Sequence, residues 1–510
     1  MALADYYDRS ATAVSQIVAG FDATAFRSML DGTCVGVSFG DDAAASPQGR
    51  AALDLAIRLL ARLYPTLDIR TAPDSSQTSS RLAAALKRLA RATNPNISLA
   101  HTAHTGIVVG VSSSPWRHTA YAGSDAWSAA VSLTAAQRVG RTNVIYGAGA
   151  AACLAVAAIF RLVVTPSTPA PADATVHVFG NSDAVPTASA LNRSLQLPQR
   201  SILVGAGAVG QACAWALART PVSGTIVIAD PQTVDLGNMQ RYVLTARSNL
   251  GKDKASLAAA HINRIGATRG GPRIRAVSVN GTYADALEQH GHTWDAALAG
   301  VDSAADRRAI QATLPRWAAN AWTQTGDLGV SDHHYRNGAC IACLYLPAGN
   351  TPNQDELVAA ALRVPDRVME VRTHLHLGTA VPMELCDLIA DRLGVEPDQV
   401  RKYAAAGIRA LYVEGVCGGG LIPLGAHQPA AEMHVPLAHQ SALAGVLLAA
   451  RLIRRSLGVT AETTEVMRLN LSQDLTPLLT QPAGKDPRGI CLCQDATFAN
   501  TYNTLWPVKR

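Results

Sequence analysis

Short apolar runs alternate along this chain with longer stretches whose apolar residues recur at helical spacing, the pattern of strands joined by helices. In the first third, CVGVSF at Cys34–Phe39 reads as a buried strand, 49–64 as an amphipathic helix and 107–111 as another short apolar run. Residues 143–164 read as strand, glycine turn and helix, and YGAGAAACLAVAAIF looks like a worn copy of a glycine turn that comes later. TPSTPAPAD at 165–173 is a proline-rich boundary. Beyond it, strands are expected at 201–204, 225–229, 274–279 and 296–300, the last ending at Asp302, with helices at 211–219 and 254–264. A polar, helical and loop-rich segment at 357–405 precedes VEGVCGGGLIPL, and a largely apolar helix is expected at 436–457. The fold class is α/β: a doubly wound, Rossmann-like sheet preceded by a second α/β domain. The expected domains span 1–165, a linker at 166–185, then 186–350, 351–435 and 436–510.

Composition narrows the class. At 510 residues the chain exceeds one ordinary core, and 48% hydrophobic with 16% charged residues describes a globular protein. The net charge of +6 comes from scattered arginines without a basic run, which argues against nucleic acid as a partner. The N-terminus MALADYYDRS lacks the pattern of a secretory signal, so a cytoplasmic location is expected. The nearly uncharged run 143–160 is Gly/Ala-rich and meets Arg161 too early for a membrane span. Nine cysteines in such a chain favour metal binding or catalysis over disulfides.

The candidate chemistry begins at SILVGAGAVG. Gly205, Gly207 and Gly210 after a strand permit close backbone approach to a phosphate at a helix N-terminus. That motif alone fits NAD, FAD, S-adenosylmethionine or ATP. Asp230, ending the next strand, is placed to accept hydrogen bonds from ribose hydroxyls. Asn238, Arg241 and Lys254 come next, within one loop and one helix start, adding donors and positive charge. A pyrophosphate seldom needs that much, whereas a triphosphate attacked at its α-phosphorus does. Asp302 could then serve Mg²⁺. The bland alternative makes Arg241 and Lys254 solvated charges and Asp302 a helix N-cap.

The run GAGAVG, Asp230, Asn238-Met-Gln-Arg241, Gly251-x-x-Lys254 and Asp302 resembles the ThiF-type adenylyltransferase family, which includes ubiquitin-activating enzymes and bacterial sulfur-carrier activators. The resemblance covers about 200–345 and resumes at about 410–460. It implies that Asp230 binds ribose, that Asn238, Arg241 and Lys254 bind phosphates, and that Asp302 serves magnesium. Gln232 stands where the family often has a second acidic residue. The family also implies an arginine reaching the γ-phosphate from a partner domain or subunit, which the sequence does not locate.

Cys340 and Cys343 form CIAC, and Cys491 and Cys493 form CLC, a four-thiolate set able to hold one tetrahedral Zn²⁺. The first pair sits where the resembled family keeps a zinc pair; the second has one intervening residue instead of the usual two or more. Cys417 stands alone among glycines in EGVCGGGLIPL, as an exposed thiol able to accept an acyl group would. This loop resembles the catalytic-cysteine loop of compact activating enzymes. His427, His434 and His439 lie beyond it and are minor candidates for assisting the thiol. Cys34, Cys153, Cys213 and Cys386 read as core, and His333 and His334 as surface residues.

Together these features predict an enzyme that uses Mg·ATP to adenylate the C-terminus of a ubiquitin-like carrier protein. Thioester formation on Cys417 and transfer to a conjugating enzyme would come after. The N-terminal half is expected to be an inactive adenylation-like domain, an arrangement resembling ubiquitin-activating proteins of bacterial antiphage systems. A homodimer is compatible with this reading. The alternatives are adenylation of a sulfur carrier for thiamine or molybdopterin synthesis, peptide modification, a non-catalytic nucleotide-fold binding protein and, last, an NAD-dependent oxidoreductase.

Overall fold

The computed structural model describes residues 7–15, 21–165, 173–180, 191, 194–324, 327–347, 354–417, 436–459, 461, 463–471 and 479–507. The chain divides into two units. One comprises Met1–Asp5, Leu30–Leu346 and Pro436–Arg510; the other comprises Tyr6–Met29 and Pro347–Val435.

The larger unit contains two sheets. The first is built from β1 (Cys34–Phe39), β2 (Thr66–Thr71), β3 (Ser98–Leu99), β4 (Thr105–Val109), β5 (His118–Asp125), β6 (Ser128–Ser132) and β7 (Ala174–His177), in the order β3-β2-β1-β4-β5-β6-β7. Strands β3 to β5 in that order run parallel, and β6 and β7 are antiparallel. The second contains β8 (Ser201–Val204), β9 (Gly224–Ala229), β10 (Ile274–Val279), β11 (Ala296–Ala299), β12 (Ala318–Gln324), β13 (Asp327–His333), β14 (Glu465–Leu469) and β15 (Leu479–Pro482). Its order is β10-β9-β8-β11-β12-β13-β14-β15, with the first five parallel and the rest antiparallel. The two sheets therefore share one topology, strand for strand, until β15 extends the second.

The connections repeat as well. A helix comes after the first strand of each sheet, Pro47–Leu60 after β1 and Ala208–Ala218 after β8. A 19-residue helix precedes the seventh strand of each, Tyr146–Val164 before β7 and Ala438–Ser456 before β14. These two long helices pack on one another and on the helices after β1 and β8. Their closeness depends on missing side chains: a Cβ at Gly149 would lie 3.1 Å from the Trp215 ring, and one at Gly445 would lie 2.3 Å from Val209 O.

This packing corrects one expectation. Residues 146–160 are not a strand and worn glycine turn but part of the helix Tyr146–Val164, in which Gly149 admits neighbouring helices and Gly147 lies against Ser128 O of β6. The helix is long and apolar enough to cross a membrane by composition, yet 83% of its most apolar window is buried inside the protein, as a core helix is.

A charged cluster joins the second sheet to its long helix. Arg451 Nε lies 3.1 Å from Asp332 on β13, and Arg454 donates to Glu465 on β14 at 2.8 Å. Both guanidinium groups lie 5.1 Å from the Phe179 ring. Breaking such a buried pair by removing one member costs about 3–5 kcal/mol, because the other charge stays buried.

In the smaller unit, helices Gln354–Ala361, Val368–Leu377, Met383–Leu393 and Pro397–Ala404 surround a core that includes Leu362, Val371, Leu385, Ile389 and Val400. Gly378 and Gly394 end two of these helices in the left-handed conformation, at φ of 63° and 70°. A π-helical turn, Leu411–Cys417, closes the described part of the segment.

Candidate functional site

The glycine turn lies between β8 and the helix Ala208–Ala218, whose N-cap is Gly207. Two of its glycines are required by backbone crowding. Gly205 has φ of 91°, and a Cβ there would sit 2.6 Å from Gly300 O; a Cβ on Gly210 would sit 2.0 Å from Gly205 O. Gly207 differs, since its nearest neighbour would be the Tyr242 hydroxyl at 3.5 Å. Its bareness leaves space at the helix N-terminus, where unpaired N–H groups favour an anion.

Asp230, just past β9, binds this turn to the sheet. Its carboxylate accepts from Ala206 N–H at 2.7 Å and Gln232 N–H at 2.9 Å. Burial raises its pKa, Lys254 and the two N–H groups oppose that rise, and nearby Asp302 adds to it. A carboxylate has about four acceptor positions, so capacity remains for further hydroxyl donors.

Lys254 begins the helix Lys254–Arg269 and is only 3% exposed. Its ammonium donates to Gln232 Oε1 at 2.7 Å and lies 5.1 Å from the Tyr242 ring. The neutral amide of Gln232 thus holds the lysine without cancelling its charge. Arg241 is half-buried, with its guanidinium 5.6 Å from the centre of that ring and its Nη1 buried without a hydrogen-bond partner. Among the described residues, neither cation forms an ion pair with a carboxylate. Two such charges around one tyrosine and beside a bare helix N-terminus make a setting for an anion.

Asn238 closes a short 3₁₀ turn, Leu236–Asn238, and its Oδ1 accepts from Asp235 N–H at 3.0 Å. Its carbonyl therefore shapes the loop, while its amide N–H groups remain for other acceptors. Asp302 is exposed past the end of β11. The helix N-cap there is Ser303, whose side chain accepts from Asp306 N–H, so Asp302 is not the cap. Buried Arg307 donates to the carbonyls of Val301 and Asp302 and to Asn320 Oδ1, fixing the loop that carries Asp302.

Sequence reasoning missed Tyr242, Arg307 and Asn320. Tyr242 has a signal, standing next to Arg241 in GNMQRY. Arg307 and Asn320 have none, because their partners are backbone, each other and Tyr345, which is distant in sequence.

The four zinc candidates converge. The Sγ atoms of Cys340, Cys343, Cys491 and Cys493 all lie within 4.8 Å of one another, with Cys340–Cys491 at 3.4 Å and Cys343–Cys493 at 3.5 Å. Tetrahedral Zn–S bonds of about 2.3 Å place sulfurs about 3.8 Å apart, so the set fits a tetrathiolate ion. Cys343 N–H donates to Cys340 O and Gln494 N–H to Cys491 O, so each pair sits on a tight turn that aims its thiols inward.

Cys417 ends the π-helical turn in the smaller unit; its side chain, and residues 418–435 with His427 and His434, lie outside the described residues. His439 is in the core of the larger unit, near the Phe160 ring, and burial lowers its pKa to about 3, which does not suit a base. Two further expectations are corrected. His333 is buried, hydrogen-bonded to Ser331 and Ala339 O, and His334 is largely enclosed, because antiparallel pairing carries β13 through the core. Cys34 is not fully core but half-exposed at the start of β1, unlike buried Cys153, Cys213 and Cys386.

Residues 188–486, more than half of the chain, match the ThiF family. The chain belongs to that family, and its second sheet carries the family's adenylyltransferase fold. Residues 38–165 match Prokaryotic E2 family C. An uncharacterised protein of Sinorhizobium fredii (strain NBRC 101917 / NGR234), y4jF, is 36% identical over 516 residues, spanning 98% of this chain and 97% of that protein. Among solved structures, the microcin C7 biosynthetic enzyme MccB in complex with N-formylated MccA is 12% identical, with a TM-score of 0.37 over 59% of this chain and 68% of that one. Escherichia coli MccB with ATP is also 12% identical, with a TM-score of 0.34 over 59% and 67%. These two likenesses are too loose to bear on the chemistry.

Proposed function

We propose that this protein activates the C-terminus of a ubiquitin-like carrier by adenylation and then holds it as a thioester on Cys417 for transfer to a conjugating enzyme. The observation that carries the first half is the pair of cations Arg241 and Lys254, both close to the Tyr242 ring beside the glycine turn and neither in an ion pair among the described residues. A triphosphate would bring negative charge to both. In this reading the Gly205–Gly210 turn and Asn238 receive phosphate oxygens, Asp230 receives the ribose hydroxyls, and Asp302 would hold Mg²⁺, whose charge helps neutralise the phosphates.

A carboxylate oxygen of the carrier attacks the α-phosphorus, the bond to the bridging oxygen breaks, and pyrophosphate leaves. Arg241 and Lys254 stabilise the charge that builds on the departing phosphates. The Cys417 thiolate then attacks the acyl carbon and AMP leaves, which conserves the activation as a thioester.

The N-terminal sheet would serve as an inactive counterpart. Its matching topology supports this, and so does the residue set after β1, where Asp41 and Asp42 stand in place of a glycine cradle. Asp41 accepts from the hydroxyls of Ser76 and Ser79 at the start of the helix Gln77–Thr93, and Asp42 accepts from Val111 N–H. Carboxylates in that position repel a phosphate. Within the Prokaryotic E2 family C match, the sole cysteine is Cys153, buried in the core helix with its thiol pKa pushed far up by desolvation. This favours a separate conjugating enzyme as the acceptor.

Incubation with Mg·ATP and a carrier should give a covalent adduct that a thiol reductant releases. Cys417→Ala should lose the adduct and keep pyrophosphate exchange. A reductant-sensitive adduct that survives in this variant overturns the assignment of the nucleophile.

A further inference from the structure

The loop that carries Arg241 is held by a helix of the first sheet. Arg62, just past the helix Pro47–Leu60, is 3% exposed and donates from Nη2 to the carbonyls of Tyr242 and Thr245, the latter at 2.8 Å. Its Nη1 donates to Arg58 O, and Arg58 donates from its own Nη1 to Val243 O at 2.9 Å. Two guanidinium groups thus grip three carbonyls within four consecutive residues. The same helix reaches the glycine turn's helix: Asp54 accepts from Trp215 Nε1 at 2.7 Å, Arg219 Nη2 at 2.8 Å and Arg58 Nε at 2.8 Å. Burial opposes the charge on Asp54, but Arg219 and Arg58 hold its carboxyl well below the usual range, so this hub stays ionised.

We propose that Arg62, assisted by Arg58, is a positioning residue for the triphosphate: it fixes the Tyr242 peptide and so places Arg241 against the glycine turn. The inference rests on the adenylation reading above and adds that the first sheet sets ATP affinity in the second. The geometry explains why. Arg62 clamps the Tyr242 backbone, while the Tyr242 ring has both Arg241 and Lys254 within 5.6 Å of its centre and its hydroxyl borders Gly207. A shift of this one peptide moves the ring against which both cations rest. Ribose-facing Asp230 hangs instead on Ala206 and Gln232 and does not depend on Arg62. Loss of the clamp should therefore weaken phosphate contacts and spare nucleoside contacts.

Calorimetric titration of the full chain with ATP and with adenosine tests this. Arg62→Ala should weaken ATP about tenfold, the size of one lost charge-assisted hydrogen-bond arrangement, and change adenosine binding by less than about twofold. Arg58→Ala should act in the same direction. Arg50→Ala, whose side chain donates to Ala44 O within the first domain, should change neither. If Arg62→Ala does not fold, Arg62→Lys keeps the charge without the two-carbonyl fork and should show a smaller loss confined to ATP. Unchanged ATP affinity in a folded Arg62 variant, or equal losses for ATP and adenosine, overturns the inference alone. A wild-type chain that binds no ATP overturns the adenylation reading and this inference with it.

Discussion

His439 and Lys254 are both nearly inaccessible, yet burial acts on them in different settings. His439 faces apolar surroundings near Phe160, and desolvation lowers its pKa to about 3. In the unfolded chain an ordinary histidine protonates near pH 6.5. Between pH 6.5 and about 3 the unfolded state therefore binds a proton that the native state does not. Stability must fall as pH falls through that window, by on the order of 1.4 kcal/mol per pH unit for one such group. Replacing it with His439→Leu should make the thermal midpoint less sensitive to pH between 7 and 4, and an unchanged slope would contradict the burial argument. Lys254 has Gln232 and the Tyr242 ring beside it, and the missing carboxylate is what makes it a candidate for phosphate. The sequence exposed the replacement at position 232 but not its consequence, because the hydrogen bond joins residues that are adjacent only after folding.

Among the elements, the C-terminal turn and helix pack together with the four-thiol cluster. Leu492–Gln494 and the helix Ala496–Leu505 come directly after Cys491; Tyr502 stacks on Tyr335 at 4.3 Å, and Tyr335 donates to Leu492 O. A bound zinc would tie this tail to the turn Ile341–Tyr345, which begins just past Cys340. Metal analysis should find one zinc per chain, and a chelator or Cys491→Ser should speed amide hydrogen exchange across Ala496–Leu505. A metal-free chain with unaltered exchange would contradict the zinc assignment. The cysteine types and spacing made this cluster legible in the sequence despite the short CLC pair. The opposite held for Gly147 and Gly149: glycine before an alanine-rich run looks the same whether it turns around a phosphate or admits a neighbouring helix. Only the partner decides: here Gly149 admits Trp215 and Val446 of two neighbouring helices, while a Cβ at Gly147 would meet Ser128 O of β6 at 2.2 Å.

For the whole molecule, the main feature is the repeated topology of the two sheets, which no sequence period announced. Strand order and helix placement survive where apolar alternation is kept, so CVGVSF and SILV can occupy equivalent strands with little residue identity. The segments just after these strands have diverged, to GDDAAA in one and GAGAVG in the other. The individual strands, the glycine-turn chemistry and a second α/β domain before it could be read in advance; the strand-for-strand match of the two sheets and the Arg62 clamp could not, because they are relations between distant segments. In the proposed function the second sheet is the site of adenylation and the first its support. Exchange of labelled pyrophosphate into ATP, measured with the full chain, Mg²⁺ and a panel of ubiquitin-like carriers, tests that claim most directly. Carrier-dependent exchange that falls at least about a hundredfold in Lys254→Ala and in Arg241→Ala is the predicted result, each loss being that of a charge-stabilising group. Exchange that is absent with every such carrier, or that persists undiminished in both variants, would contradict it.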